Sequence, residues 1–171
     1  MIKPLIFQMQ SKSLASTNDV RAFEEEFKLR LPPAFAEFCL KYNGGIPSND
    51  NIFYPVPKIF EKFHSEYGPS KKEPDGVITD RLFGLTRDLD ACDIREEIRS
   101  IREIAEIQGL FPISIDLLGN SAVLLEDNLN GNVYWHDHEL WEAPGRPYLM
   151  PIAENLETFY NSLTCDPSTD E

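Results

Sequence analysis

Two stretches near the N-terminus carry hydrophobic residues at the three- and four-residue spacing that is typical of an amphipathic helix. A helix-capping pair, Thr17-Asn18, precedes the first stretch. Pro32-Pro33 separates the two stretches, because proline ends one helix but is tolerated in the first turn of the next. Gly44-Gly45 supplies a left-handed end for the second helix. The pattern predicts an N-terminal αα-hairpin whose buried residues are Val20, Phe23, Phe27, Phe35, Phe38, Cys39 and Tyr42.

Shorter hydrophobic runs without helical spacing predict strands farther along the chain. Asn130-Gly131 predicts a type I′ hairpin turn between the last two runs, since that turn needs positive φ at both central residues. We interpret residues 68–76 and 144–151 as loops. The predicted strands are residues 5–7, 52–56, 81–85, 111–116, 122–126 and 133–136.

Helical spacing returns in two later segments. Asp93 and Glu96 form a variant of the capping box in front of the first of them, which ends at Gly109. Residues 59–67 are interpreted as a helical turn. The two hydrophobic faces are Ile94, Ile98, Ile101 and Ala105, and then Ile152, Leu156, Phe159 and Leu163.

This order of elements predicts an α+β fold. It comprises the N-terminal αα-hairpin, a mostly antiparallel sheet with helices packed on one face, and a C-terminal helix. No internal repeat or low-complexity run divides the chain. We therefore predict one domain over residues 1–165 and a frayed acidic tail over residues 166–171.

The composition is typical of a soluble, single-domain protein. The chain has 171 residues, of which 42% are hydrophobic and 26% are charged. Its longest hydrophobic run is far shorter than the roughly 18 residues of a membrane span. The N-terminal residues lack the apolar core of a secretory signal. We expect a cytoplasmic protein that does not enter a membrane.

Charge is distributed unevenly along the chain. The net charge is −13; residues 1–102 hold fifteen Lys and Arg against sixteen Asp and Glu, whereas residues 103–171 hold Arg146 against thirteen acids. The electrostatic field of this negative charge repels nucleic acid and anionic membranes and attracts a basic protein. The alternative is that the acidic surface serves solubility alone.

Three cysteines, Cys39, Cys92 and Cys165, lack the C-x-x-C spacing of a zinc ribbon or a redox pair. Their odd number disfavours a disulfide framework. Cys39 lies on a predicted apolar helix face, so we predict that it is a small core residue.

The segment around His136 and His138 is the one candidate for metal or catalytic chemistry. Alternate strand residues share a face, so the two imidazoles could bind one ion, with Glu126 or Asp127 as a carboxylate ligand. The alternative is one structural and one solvated histidine. Ser114 or Ser121 could be combined with these histidines into a triad, but no nucleophile-elbow motif supports it. We favour no catalytic residue, no metal and no cofactor.

Acidic and aromatic residues in the same region form a candidate partner-binding surface. Trp135 shares a strand face with Val133 and is predicted to be a core residue. Trp141 is predicted to anchor a partner, with surrounding charges setting the association rate. The candidate binding residues are Asp127, Asp137, Glu139, Trp141 and Glu142.

The order of short motifs between residues 17 and 163 resembles the SUKH superfamily. The later motifs include Leu124-Leu125-Glu126-Asp127 and a hairpin ending in Trp135 and His138. Two departures are a long charged insertion at residues 58–80 and His136, which separates Trp135 from Asp137. The motifs in the first part of the chain are Phe23-Glu24, Leu31-Pro32, Phe35-x-x-Phe38 and Tyr42-Asn43-Gly44-Gly45. The other motifs in the second part are Phe111-Pro112-Ile113, Gly119-Asn120 and Ile152-Ala153-x-x-Leu156-x-x-Phe159.

The resemblance implies a non-catalytic bacterial immunity protein that binds and neutralises a polymorphic toxin. The charge of residues 103–171 favours a basic, nuclease-type toxin as that partner. One alternative is a regulatory interaction domain of the yeast cell-wall-assembly-regulator type. The other alternative is a metal-dependent hydrolase that uses His136 and His138. A monomer and a homodimer both remain open.

Overall fold

The computed structural model describes residues 1–5, 9–10, 13–47, 52–55, 76–85, 92–103, 107–143 and 146–165. Within these residues the fold is α+β, with antiparallel strand pairing in every sheet. The helices are α1 (Thr17–Phe27), α2 (Pro33–Lys41), α3 (Ile94–Glu103) and α4 (Leu156–Ser162). The strands are β1 (Met9–Gln10), β2 (Ile46–Pro47), β3 (Ile52–Pro55), β4 (Gly76–Thr79), β5 (Arg81–Leu82), β6 (Leu110–Ile115), β7 (Ser121–Leu125), β8 (Val133–Ala143), β9 (Arg146–Ala153) and β10 (Thr164–Cys165).

The main sheet has five strands in the order β5-β6-β7-β8-β9. Each of the four connections joins neighbours, so the sheet is a meander with β9 at one edge. Two smaller sheets, β1-β2 and β10-β3-β4, complete the described strands. The predicted helical turn 59–67, the predicted loop 68–76 except for Gly76 of β4, residue Ala105 and the tail 166–171 lie outside the described residues.

Aromatic residues join the helices to one face of the main sheet. The ring of Phe111 on β6 meets Phe35 of α2 edge-on at 5.2 Å and Phe23 of α1 at 6.4 Å. Phe38 of α2 stacks on Tyr160 of α4 at 4.4 Å. Such contacts add to the free energy of burying each ring. Both N-terminal helices exist as predicted, and their pairing as an αα-hairpin stays a prediction.

Cys39 and Trp135 lie in this core, as the sequence pattern predicts. Cys39 is fully buried and Trp135 is 7% exposed. Burial also raises the pKa of the Cys39 thiol, because the surrounding apolar residues disfavour the thiolate. Cys39 therefore contributes to the packing of the core.

A smaller hydrophobic cluster lies on the opposite face of the sheet. It joins Ile101 of α3 and Ile107 to Leu110 and Val123. Ile94 and Ile98 of the same helix belong to the main core. Helix α3 therefore contributes to both clusters, which departs from the prediction that the helices pack on one face.

The predicted cap of α1 is displaced by one residue. Ser16 is the N-cap, and its hydroxyl accepts the N–H of Asp19 while the Asp19 carboxylate accepts the N–H of Ser16 at 2.7 Å. This reciprocal pair is a capping box, which satisfies two helix-end donors. Before α3, Asp93 accepts the N–H of Arg95, whereas the carboxylate of Glu96 accepts from Arg99.

The left-handed backbone after α2 begins at Asn43 (φ 56°) and continues at Gly44 (φ 73°), so it starts one residue before the predicted glycine pair. The buried Asn43 amide donates to the Ser13 carbonyl and accepts the N–H of Leu85. Gly45 exchanges two backbone hydrogen bonds with Leu82 of β5. The end of α2 is thereby fastened to the main sheet.

Three predictions for the C-terminal half are wrong. Neither Asn130 nor Gly131 has positive φ; instead, Asn128 donates to Leu125 and Gly131 donates to Asn128, which makes two successive turns. Strand β8 continues to Ala143, well beyond the predicted end at residue 136. The predicted loop 144–151 contains most of strand β9, which also includes Ile152, so the last helix begins at Leu156.

Candidate partner-binding surface

The second half of β8 extends beyond the neighbouring strand β7. The pairing of β7 with β8 ends at Ser121 and His136, whereas β8 pairs with β9 as far as Ala143 and Arg146. The register shifts between His136 and Trp141. Residues 137–143 of β8 with residues 146–148 of β9 therefore form a two-stranded ribbon at this end of the sheet.

A tight turn at residues 116–120 lies at the same end, because it connects β6 to β7. The carboxylate oxygen Oδ1 of Asp116 accepts the N–H groups of Leu118 and Asn120, each at 2.8 Å. Its other oxygen, Oδ2, accepts the side-chain amide of Asn120 at 2.9 Å. Asp116 thus satisfies three donors and holds the turn in one shape.

Asn120 links this turn to the ribbon. Its oxygen Oδ1 accepts the backbone N–H of His138 at 3.3 Å and lies 3.0 Å from the ring nitrogen Nδ1 of His138. A Cβ atom on Gly119 would lie 3.7 Å from the same ring. The turn and the ribbon therefore form one continuous surface, which we call the sheet tip.

The sheet tip contains some of the predicted binding residues. Asp137 and Glu139 flank His138 on the ribbon, and Glu139 is exposed. The backbone N–H of Glu139 donates to the Asp137 carboxylate at 2.9 Å. Trp141 and Glu142 belong to the described backbone of β8, where Trp141 is paired with Pro147.

Asp127 lies elsewhere. It is an exposed residue of the turn after β7, at the opposite end of that strand from Ser121 and the sheet tip. Four residue steps along β7 correspond to about 13 Å. The structure thus separates Asp127 from Asp137 and Glu139, although sequence proximity grouped them. The binding role of each of these residues stays a prediction.

Asp80 and Asp116 add to the negative potential at the sheet tip. The backbone N–H of Asp80 donates to the carbonyl of Ile115, which places Asp80 beside the start of the turn. Partial burial and the neighbouring Asp116 charge both raise the pKa of Asp80. The two carboxylates therefore repel each other, and the adjacent Arg81 offsets this effect on the pKa of Asp80 only in part.

The two histidines occupy different environments. His136 is 5% exposed, and neither ring nitrogen has a hydrogen-bond partner among the described residues, whereas His138 is exposed. Burial lowers the pKa of His136, and it outweighs the opposing effect of Asp137. His136 is therefore a neutral, packed residue at pH 7.

The metal and triad arrangements are not assembled in the described part of the chain. Glu126 forms an ion pair with Arg102 at the opposite end of β7 from His136. No three ligand-type side chains among the described residues lie close enough to hold one ion. Ser121 is aligned with His136 across the strands, yet the imidazole forms no hydrogen bond with any part of the chain that the structure describes.

The exposed leucines of the turn and the contact between Asn120 and His138 were not predicted from the sequence. The leucines could have been noticed in the sequence because they lie between two predicted strands, where polar turn residues are usual. No local signal identifies the Asn120 contact, because its partner is eighteen residues away.

A family model described as SMI1 / KNR4 family (SUKH-1) matches residues 14–162. The matched segment contains α1 through α4 and all five strands of the main sheet. No curated protein matches the chain in sequence. Among the described residues, no helix has both the length and the apolar character that crossing a bilayer requires.

Proposed function

The chain belongs to the SMI1/KNR4 (SUKH-1) family, and from that premise we propose that it is a cytoplasmic immunity protein that binds and neutralises a toxin domain. The family match over residues 14–162 is the observation that carries this proposal. In this role the protein makes and breaks no covalent bond. It acts by occupying the surface that the toxin needs for its own target.

The charge distribution supports a basic toxin, such as a nuclease, as the partner. Residues 103–171 hold thirteen acids and one base, and the acids of the sheet tip belong to this segment apart from Asp80. A nuclease presents Lys and Arg to the phosphates of its substrate. Carboxylates such as Asp137 and Glu139 would compete for those cations and accelerate the encounter.

The burial of His136 also supports a role without catalysis. A general base must reach the proton that it removes, whereas this imidazole is buried and has no hydrogen-bond partner within the described ranges. The metal-dependent hydrolase would use this same imidazole, and the environment of His136 disfavours it.

Co-expression with the neighbouring gene tests this function. We expect the product of a toxin gene beside this one to arrest growth when expressed alone, and growth to be restored when this protein is present. Purified protein should bind that toxin, with an association rate that falls about tenfold or more between 20 and 300 mM salt. An association rate that ignores ionic strength would remove the electrostatic part of the proposal.

The family description also names the SMI1 and KNR4 regulators, which favours a second candidate. In this case the protein is a regulatory interaction domain for a cellular partner, without a toxin. If the neighbouring gene product arrests growth and co-expression of this protein does not relieve the arrest, this candidate is favoured over immunity.

A further inference from the structure

The turn at the sheet tip exposes two adjacent leucines. Leu117 is 78% exposed and Leu118 is 75% exposed. Single exposed leucines are ordinary on protein surfaces, but turns between strands usually carry Gly, Asn, Asp, Ser or Pro. Among the described residues, the other exposed large hydrophobic side chains are not neighbours in sequence.

The leucines are held on a rigid support. Asp116 accepts three hydrogen bonds from the turn, and its own backbone N–H donates to the carbonyl of Asn120 at 2.9 Å. Asn120 also contacts His138 on the ribbon. A side chain on such a support loses little freedom when it binds, so more of its burial energy appears as affinity.

Carboxylates lie on the chain segments that adjoin the leucine turn. Asp137 and Glu139 flank His138, which the turn contacts directly, and Asp80 lies at the start of the turn. An apolar centre with a charged rim is the usual organisation of a binding surface between proteins. Here the rim is acidic, so it is complementary to a basic surface.

We propose that Leu117 and Leu118 are the apolar anchor by which this protein binds a basic protein partner, with Asp137 and Glu139 as the charged rim. This inference rests on the proposed function and identifies its surface. The leucines slow dissociation by filling apolar sites on the partner. The carboxylates speed association by attracting its Lys and Arg.

The same charges disfavour two other occupants of this surface. A second copy of the chain would bring an identical acidic rim against this one, and each copy carries a net charge of −13. An anionic membrane would be repelled in the same way. A basic protein surface that also has apolar sites complements both the carboxylates and the leucines.

Kinetic measurements on two sets of variants test the anchor. The probe is an inactive form of the toxin encoded beside this gene. For the Leu117→Ser/Leu118→Ser variant we expect dissociation at least tenfold faster and an association rate within about twofold of wild type. The matched control is Leu14→Ser/Leu40→Ser, which removes two exposed leucines near the N-terminal helices. The control should dissociate like wild type.

Charge variants test the rim separately. For Asp137→Asn/Glu139→Gln we expect association about three- to tenfold slower at 20 mM salt, and a rate equal to wild type at 500 mM salt. Glu25→Gln/Glu103→Gln removes the same charge from exposed sites on α1 and α3 and is the matched control. It should change the low-salt rate by less than twofold.

The outcomes separate this inference from the function on which it rests. If wild type and the leucine variant protect cells and bind the toxin equally well, the inference is overturned while the proposed function stands. If wild type neither protects nor binds, both are overturned. A wild-type homodimer that the leucine substitutions convert to a monomer would make a second copy the occupant, and would also overturn the inference.

Discussion

Glycine at positions 44 and 84 permits a contact between two backbone segments that no other residue would allow. A Cβ atom on Gly84 would lie 2.2 Å from the carbonyl oxygen of Asn43, and one on Gly44 would lie 2.6 Å from the backbone nitrogen of Gly84. The sequence predicts a left-handed helix end at Gly44, and Gly44 lies in the left-handed stretch that begins one residue earlier, at Asn43. Its second role, close approach to Gly84, depends on a residue forty positions away.

We predict that Gly84→Ala lowers the free energy of unfolding by about 3 kcal/mol, because buried backbone on both sides has no room to retreat. Gly109→Ala is the control, since Gly109 has positive φ (80°) but no atom of a described residue lies within 4 Å of the place that a Cβ would occupy. It should cost about 1–2 kcal/mol through backbone strain alone. Urea denaturation measures both; equal losses would contradict the close-contact explanation.

His136 makes stability depend on pH. Its pKa is lowered by burial, so the unfolded chain binds a proton more readily than the folded chain. The stabilising contribution of the neutral form is complete above the unfolded pKa of about 6.5 and is lost as pH falls below it. We predict that wild type loses stability from this group as pH falls from 7.5 to 5.5.

The His136→Phe variant should lose that part of the pH dependence and be at least as stable as wild type at pH 5.5. Phenylalanine fills the buried space and carries no unpaired ring nitrogen. His138→Asn, at an exposed position, should keep the wild-type slope. Unfolding curves at several pH values test this prediction. If stability depends on pH equally in His136→Phe and in wild type, His136 is not the source of the pH dependence.

At the scale of elements, α3 is fastened to α1 by a buried arginine. The Arg95 guanidinium pairs with Asp93 at 3.2 Å and with Glu26 of α1 at 3.3 Å, and it lies 5.4 Å from the Phe23 ring centre. It also donates to the carbonyl of Leu85. The capping pattern predicted the start of α3 correctly, but it contained no signal for this long-range contact.

We predict that Arg95→Met destabilises the protein by about 3–5 kcal/mol, because the Asp93 carboxylate would remain buried without its cation. Arg99→Met is the matched control on the same helix. Arg99 also pairs with Glu26, but its side chain is 46% exposed, so its loss should cost less than about 1 kcal/mol. Thermal unfolding of both variants tests the difference; comparable losses would show that burial is not the deciding factor.

Strand β9 shows why hydrophobic patterning alone misidentified an element. From the sequence we interpret residues 144–151 as a loop, yet Pro147 and Pro151 both lie in β9, although each proline lacks a ladder donor. The strand lies at the edge of the main sheet, where a missing donor is tolerated. Whether a strand is central or at an edge depends on the order of all five strands, which local sequence does not encode.

At the scale of the whole molecule, the excess of acids acts on stability as well as on recognition. The net charge of −13 opposes compaction through repulsion between like charges. We predict that raising NaCl from 10 to 300 mM increases stability by about 1 kcal/mol, which corresponds to a rise in Tm of about 2–4 °C. Calorimetry at several salt concentrations measures this; a falling Tm would mean that the ion pairs outweigh the repulsion.

The sequence by itself determined the α+β class, the existence of helices α1, α2 and α3, the core positions of Cys39 and Trp135, and the family. Helical spacing depends on a period of about 3.6 residues, and family motifs depend on residue order, so both are visible locally. It also established that nearly all of the excess of acids over bases lies after residue 102.

Only the tertiary structure decided which of those acids are neighbours. The strand register places Asp127 at one end of β7. It places Asp137 and Glu139 at the other end, near the turn that Asp116 stabilises. It also buried His136 while leaving His138 exposed. The physical reason is that register and bulges are selected by burial of the hydrophobic face across several strands, and residues distant in sequence jointly determine that burial.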